Sequence, residues 1–129
     1  MSCTSATACT AVGTDGTGPA LFPLAQGWNG RRWTSQGARF AGDDFTSVSC
    51  TAARACTAVG DAAGGAQTLT AAWDGARWSV QPSPQDADRR TNHTLFDVSC
   101  TSRSTCFAVG AVNRSSNGTA VGPLVERRS

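Results

Sequence analysis

Short runs of apolar and small polar residues follow one another along this chain, and turn-forming residues separate them. The run 45–50 is typical: it alternates in character and is rich in residues that favour extended backbone. Runs of about four to eight residues with this pattern predict half-buried β-strands rather than helices. In the middle of the chain the pattern predicts four strands, at 45–50, 56–60, 69–73 and 77–81.

One motif, Val-Ser-Cys-Thr-x4-Cys-x-Ala-Val-Gly, occurs three times with only small changes. Its first cysteine is Cys3, Cys50 and Cys100 in the three copies, which lie 47 and 50 residues apart. A repeat of this length with four short strands is typical of β-propeller blades, which bury their apolar faces against one another. We therefore predict an all-β fold, a partial β-propeller of about two and a half four-stranded antiparallel blades. The single repeat domain 1–129 would comprise an incomplete blade 1 (1–40), blade 2 (41–87) and an incomplete blade 3 (88–129).

Both ends of the repeat depart from the motif. Met1 occupies the position that Val48 and Val98 hold in the other copies. A bacterial GTG codon is read as Val internally and as Met at a start, so we hypothesise that Met1 is an internal codon of a longer reading frame. In the third copy, Arg128 stands where the other copies begin a tryptophan hairpin. Because open strand edges invite pairing, we expect either a fragment or self-association through blade edges.

The six cysteines form three C-x5-C pairs with none left over. Each pair flanks a short turn, and directly opposed positions of an antiparallel hairpin lie within disulfide range. We predict one hairpin disulfide in each copy, with shared metal ligation and free buried thiols as the alternatives; structural zinc sites usually show a shorter C-x2-4-C spacing. Disulfides indicate an oxidising compartment, so we expect the parent protein outside the cell or at its surface, although no signal peptide is visible in this chain. The predicted pairs are Cys3–Cys9, Cys50–Cys56 and Cys100–Cys106.

A second motif, Trp-[Asn/Asp]-Gly-x-Arg-Trp, occurs twice. Asn-Gly and Asp-Gly favour tight hairpins. With a turn at Asp74–Gly75 or at Gly75–Ala76, strand parity places both tryptophans of a hairpin on one face. Each ring can bury on the order of 200 Å². We interpret these rings either as packing between blades or as platforms for stacking a sugar or another ligand; they are Trp28, Trp33, Trp73 and Trp78.

Together, the two motifs resemble the cysteine/tryptophan repeats of secreted, largely uncharacterised actinobacterial β-propeller-like proteins. The resemblance covers nearly the whole chain and implies a propeller fold and export, without an activity. A weaker similarity is to the Trp-rich fucose-binding propeller lectins, whose blades carry a W-D-G-x-x-W hairpin. Those lectins hold sugar hydroxyls with Arg and Glu, whereas Glu126 is the only Glu here. The residues that match the lectin hairpin are Trp73, Asp74, Gly75 and Trp78, with Trp28, Asn29, Gly30 and Trp33.

Charge and composition argue against several functions. A net charge of +2, with no run of arginines longer than a pair, predicts no nucleic-acid partner. No apolar run approaches the roughly 18 residues of a membrane span. A serine or cysteine hydrolase needs a His base, and the only one, His93, is predicted to lie in a solvated linker. A glycosidase needs two positioned carboxylates, but Asp43–Asp44 and Asp86/Asp88 are interpreted as solvated turns. We predict no catalytic residue, no metal site and no cofactor.

Three functions are compatible with the sequence. We favour a non-catalytic secreted β-propeller repeat module that acts as a scaffold or as an interaction surface for a protein or glycan partner. The first alternative is a lectin-like, carbohydrate-binding propeller that uses the tryptophan hairpins. The second is a fragment of a propeller enzyme such as a glycoside hydrolase, with its catalytic residues in other blades.

Overall fold

β-strands form all the regular secondary structure of the described residues. The computed structural model describes residues 1–17, 20–38, 44–62, 67–81, 91–114 and 121–128. The predicted all-β class is confirmed, because these residues contain strands and no helix. The strands are β1 (Ser2–Ser5), β2 (Ala8–Thr17), β3 (Ala20–Trp28), β4 (Trp33–Ser35), β5 (Asp44–Ala52), β6 (Ala55–Ala62), β7 (Gln67–Trp73), β8 (Trp78–Val80), β9 (Thr91–Ser102), β10 (Thr105–Arg114) and β11 (Val121–Arg128).

These strands form three antiparallel sheets in which each strand pairs with the next one along the chain. The first sheet has the order β1-β2-β3-β4, the second β5-β6-β7-β8, and the third β9-β10-β11. The four strands predicted in the middle of the chain therefore correspond to β5–β8 of the second sheet. The predicted unit boundaries at 40/41 and 87/88 fall outside the described residues.

All three predicted disulfides are present. In each sheet the two cysteines are directly opposed across the first hairpin, with 4.0 Å between their Cα atoms. No cysteine is left free, so the alternatives of free thiols and thiolate metal ligation are wrong. Because each bridge closes a short loop, it fixes the register of strands built mostly from Ala, Ser and Thr.

A β-bulge interrupts the first hairpin of the second and third sheets. Phe45 pairs with Gly60 and Ser47 with Val59, which leaves Thr46 as the extra residue. In the third sheet Phe96 is the extra residue at the equivalent position. A bulge turns the side chain of the extra residue away from the regular alternation. Thr46 accordingly reaches the third sheet, where its hydroxyl donates to the carbonyl oxygen of Leu95, and Phe96 is exposed.

The bulge explains why the repeated motif ends in glycine. A Cβ atom at Gly60 would overlap the main-chain carbonyl oxygen of Asp44, and one at Gly110 would overlap that of Thr94. At the equivalent Gly13 of the first sheet, a Cβ atom would have no neighbouring atom within 4 Å. The short strand β1 accounts for this difference, since its pairing with β2 begins only at Ser2.

The core lies between successive sheets rather than within one sheet. One cluster joins Ala25 and Ala38, from the first sheet and the segment after β4, to buried residues of the second sheet. The other joins Val59 of the second sheet to buried residues of the third. The members from the later sheet are Phe45, Val48, Cys56, Ala58, Leu69, Ala71 and Trp78 in the first cluster, and Leu95, Val98, Cys106 and Ala108 in the second.

The two junctions between sheets use the same hydrogen bond. The main-chain N–H of Cys50 donates to Ser2 Oγ, and that of Cys100 donates to Ser49 Oγ, each at 3.0 Å. In both cases the motif serine of one sheet accepts a hydrogen bond from the first motif cysteine of the following sheet. The junction is therefore repeated along with the sheet.

A threonine hydroxyl makes a second repeated contact. Thr10 Oγ1 lies 3.5 Å from Cys56 Sγ, and Thr57 Oγ1 lies 3.4 Å from Cys106 Sγ. The hydroxyl must be the donor, because a sulfur in a disulfide carries no hydrogen. The first and second sheets thus each place a buried threonine on the disulfide of the sheet that follows.

Two expectations about polar residues need correction. His93 does not lie in a solvated linker: it is buried in β9, where it pairs with Val112 of β10. The ten-residue strand β10 gives β9 a partner as far back as Thr91, which the polar local sequence did not indicate. Asp44 is likewise the half-buried first residue of β5 rather than part of a solvated turn. Asp43, Asp86 and Asp88 lie outside the described residues.

Candidate functional site

Two tryptophan hairpins are the most distinctive chemical feature of the described chain. Trp28 pairs with Trp33 and Trp73 with Trp78, so both rings of each hairpin lie on one face, as predicted. The ring centroids are 5.6 and 5.7 Å apart, and the planes are tilted by 43° and 38°. Such offset, tilted pairs are a favourable arrangement of aromatic rings.

A side-chain carbonyl or carboxylate closes the turn of each hairpin. Asp74 Oδ1 accepts from the main-chain N–H groups of Ala76 and Arg77 at 2.8 and 2.9 Å. The register agrees with a turn at Gly75–Ala76, the second of the two predicted turns, and Gly75 adopts a φ of 98° that favours glycine. In the first hairpin, Asn29 Oδ1 makes the same two bonds.

These hydrogen bonds change the acidity of Asp74. The N–H groups of Arg77 and Ala76 stabilise the charged carboxylate and hold the pKa of Asp74 below its ordinary value of 3.8. The side chain is fully exposed and already accepts two hydrogen bonds within its own turn. It is therefore poorly placed to act as a general acid.

The two hairpins differ sharply in burial although their sequences match. Trp78 is 6% exposed: its ring lies 5.5 Å from that of Phe45, and its Nε1–H donates to Gln36 Oε1 at 3.2 Å. Trp33, at the equivalent position, is 41% exposed. Trp78 is therefore a packing residue at the junction of the first and second sheets, whereas Trp33 presents much of its ring to solvent.

The first tryptophan of each hairpin lines a small cleft at a junction between sheets. Trp28 borders a cleft of about 70 Å³ between the first and second sheets, and Trp73 borders one of about 80 Å³ between the second and third. The following sheet contributes Cys50 and Ala53 to the first cleft and Cys100 and Arg103 to the second. Both clefts are well below the roughly 300 Å³ at which small-molecule pockets begin.

A larger cavity, of about 250 Å³, lies beside the β2–β3 hairpin. Its lining is a mixture of apolar residues, such as Phe22 and Leu24, and polar ones, such as Asp15 and Gln26. The cavity contains no His or Cys near the single carboxylate, so its described lining offers one acidic group without a partner for acid–base chemistry.

Chemistry-bearing residues are not gathered anywhere in the described parts of the chain. No three His, Cys, Asp or Glu residues there are placed to hold a metal ion. Three of the described side-chain carboxylates bond to groups of the fold: Asp74 in its turn, Asp97 to Ser47 at 2.7 Å, and Asp61 to Thr94 at 3.0 Å. The last two bonds tie the second sheet to the third.

Sequence reasoning missed an exposed apolar patch on the third sheet, formed by Phe96, Phe107 and Val109. A signal for it existed in the repeat. Aligned on the cysteines, Phe107 stands where the other copies have Thr10 and Thr57, and both threonines are buried at junctions. A large apolar residue in that position marks the third sheet as different from the other two.

Comparison of the chain with protein-family models, with curated proteins and with solved structures gives no match. Among the residues that the structure describes there is also no helix with the length and hydropathy needed to cross a membrane.

Proposed function

We propose that this chain is a non-catalytic repeat module of an exported β-propeller and acts as an interaction surface. The observation that carries the proposal is the repeated junction. Each sheet packs on the next through the same serine and threonine contacts, so the sheets behave as equivalent units of one stack.

The propeller arrangement draws support from the order of the strands. Four-stranded antiparallel sheets that pair in chain order and pack face to face are the units from which propellers are built. The first and second sheets have this order, and a buried core joins each sheet to its neighbour. Export is supported by the three disulfides, which persist in oxidising compartments.

The absence of catalysis is proposed from what the described polar groups do. A general acid or base must reach the proton that it transfers, whereas His93 is buried within β9 and Asp74 is bound to its own turn. Asp97 and Asp61 bond across the junction of the second and third sheets. All four side chains are therefore engaged within the folded chain.

A second function, carbohydrate binding, is favoured by one observation. The exposed ring of Trp33 forms a tilted pair with the half-buried Trp28 at the surface of the first sheet. Arg31 and Arg32 are exposed in the same turn and can donate hydrogen bonds to hydroxyl groups. The buried Trp78 cannot serve in this way, which limits the proposal to the first hairpin.

One experiment tests both proposals. The oxidised protein is mixed with a panel of chromogenic glycosides and free oligosaccharides, and product release and tryptophan fluorescence are followed together. We expect no product beyond that released by the reduced, unfolded chain; release that requires the folded protein would overturn the non-catalytic proposal.

The fluorescence signal decides the second function. Saturable quenching by a glycan that is lost in Trp33→Ala but kept in Val80→Ala would support sugar binding at the first hairpin. Val80 is a matched control because it is also an exposed apolar residue but belongs to β8 of the second sheet rather than to this hairpin. Without saturable quenching, the carbohydrate proposal fails and the interaction module remains.

A further inference from the structure

Five of the six large exposed apolar side chains among the described residues lie on or beside the first and third sheets, and the sixth, Val80, lies in β8. We define the leading face, on the first sheet, by Met1, Trp33 and the half-buried Ala11. We define the trailing face, on the third sheet, by Phe96, Phe107 and Val109, which are 57%, 45% and 47% exposed. Exposed apolar patches of this kind commonly mark interaction sites.

The leading face is the surface that each later sheet buries against the sheet before it. The equivalents of Met1, Trp33 and Ala11 in the second sheet are Val48, Trp78 and Ala58, and all three are buried in the core that includes Ala25 and Ala38. The leading face therefore carries the residues of an interface that the second sheet has already formed.

The trailing face is the other half of the same interface. The equivalent of Val109 in the second sheet is Val59, which is buried against the third sheet. The equivalent of the bulge residue Phe96 is Thr46, whose hydroxyl donates to the carbonyl oxygen of Leu95 in the third sheet. These positions face the following sheet wherever one is present.

Phe107 gives the trailing face its particular chemistry. Its equivalents, Thr10 and Thr57, each lie on the disulfide sulfur of the following sheet. A phenylalanine at this position cannot donate a hydrogen bond, but an aromatic ring makes favourable contacts with sulfur and buries more apolar area than threonine does.

We propose that the trailing face of one copy of this chain binds the leading face of a second copy, head to tail. The new junction would repeat the two internal ones, with Phe107 of one copy on the Cys3–Cys9 disulfide of the other. Ser99 Oγ would accept from the Cys3 N–H, as Ser2 accepts from Cys50 and Ser49 from Cys100. Such a heterologous contact generates a closed ring or an open filament.

A second copy is the occupant that the surfaces favour, because each face already has its complement on the other end of the same chain. The proposal goes beyond the proposed function and depends on neither sugar binding nor catalysis. A different partner protein, or further units of a longer chain, would replace the second copy on the same faces.

The experiment measures the mass of the oxidised full chain by light scattering over a range of concentrations. We expect the wild-type mass to rise above the 13.2 kDa of one chain as concentration increases. Trp33→Glu blocks the leading face and Phe107→Glu blocks the trailing face, so each variant alone is expected to remain monomeric. Val80→Glu, which places a charge at an exposed apolar site outside both faces, is expected to associate like the wild type.

Mixing the two blocked variants tests the head-to-tail geometry. Each variant retains one intact face, and the two intact faces are complementary, so an equimolar mixture should form a complex of two chains and no larger species. If like faces paired with like, at least one of the blocked variants would form a dimer on its own, and mixing the two variants would produce no additional complex. That result, or a wild-type chain that is monomeric at all concentrations, would overturn the proposal.

A milder variant covers the case in which an introduced charge prevents folding. Phe107→Thr restores the residue found at the two equivalent positions and should fold with an unchanged circular dichroism spectrum. Loss of a central aromatic anchor is expected to weaken association about tenfold or more. Unchanged association of Phe107→Thr would contradict the role given to this ring. Since Trp33 is intact in this variant, its glycan response reports separately on the proposed function.

Discussion

At the scale of single residues, the two hairpin turns provide a natural comparison. Asn29 and Asp74 accept the same pair of main-chain N–H bonds at equivalent positions. Only Asp74 can gain or lose a charge, and its turn lowers its pKa. The two hairpins should therefore differ in their response to acid although their geometry is the same.

We predict that Asp74→Asn makes the protein less sensitive to acid. A carboxylate with a lowered pKa in the folded state contributes stability that is present above its unfolded pKa and is lost as the pH falls through the folded value. The wild-type Tm, followed by circular dichroism, should therefore decline below about pH 4 by more than that of Asp74→Asn. Asn29→Asp is the matched variant and should steepen the decline. Parallel curves for Asp74→Asn and wild type would contradict the assignment.

Single residues also show how far sequence reasoning reaches. The cysteine pairing could be predicted because a short hairpin turn holds the two residues that flank it close together. The burial of His93 could not, since it depends on the length of β10, a strand that follows it in the chain. Local polarity suggested a linker, but the partner strand decided the outcome.

At the scale of elements, the bulged hairpin distinguishes the second and third sheets from the first. The extra residue in β5 or β9 brings the main chain of that strand against the glycine of the motif. The strand pattern predicted these hairpins, but a bulge adds one residue to one strand only. An alternation of apolar and polar residues does not reveal it.

We predict that Gly60→Ala and Gly13→Ala have opposite effects although they change the same position of the repeat. A methyl group at Gly60 collides with the carbonyl of Asp44, and overpacking of this kind costs about 1–3 kcal/mol. At Gly13 there is open space for a methyl group. Because alanine restricts the unfolded chain more than glycine does, Gly13→Ala should raise the free energy of unfolding by about 0.4–1 kcal/mol. Urea unfolding followed by circular dichroism measures both; equal changes in the two variants would show that the bulge does not constrain this position.

At the scale of the whole molecule, stability rests on the junctions between sheets. The repeat allowed the sheets to be predicted, because each copy carries its own strands and turns. It did not allow burial to be predicted, because Trp33 and Trp78 have nearly the same neighbours in sequence and opposite environments. Burial here is a property of a pair of sheets, so only the position of a copy in the stack determines it.

Leu95 and Phe96 test this dependence because they are adjacent in β9 and have opposite environments. Leu95 is fully buried against Val59 of the second sheet, whereas the bulge leaves Phe96 mostly exposed. We predict that Leu95→Ala lowers the free energy of unfolding by about 2–5 kcal/mol, and that Phe96→Ala changes it by less than about 0.5 kcal/mol. Both are measured by urea unfolding at a concentration where the chain is monomeric. If Phe96→Ala proved as damaging as Leu95→Ala, the trailing face would be part of the folded core of a single chain rather than a surface available to a second copy.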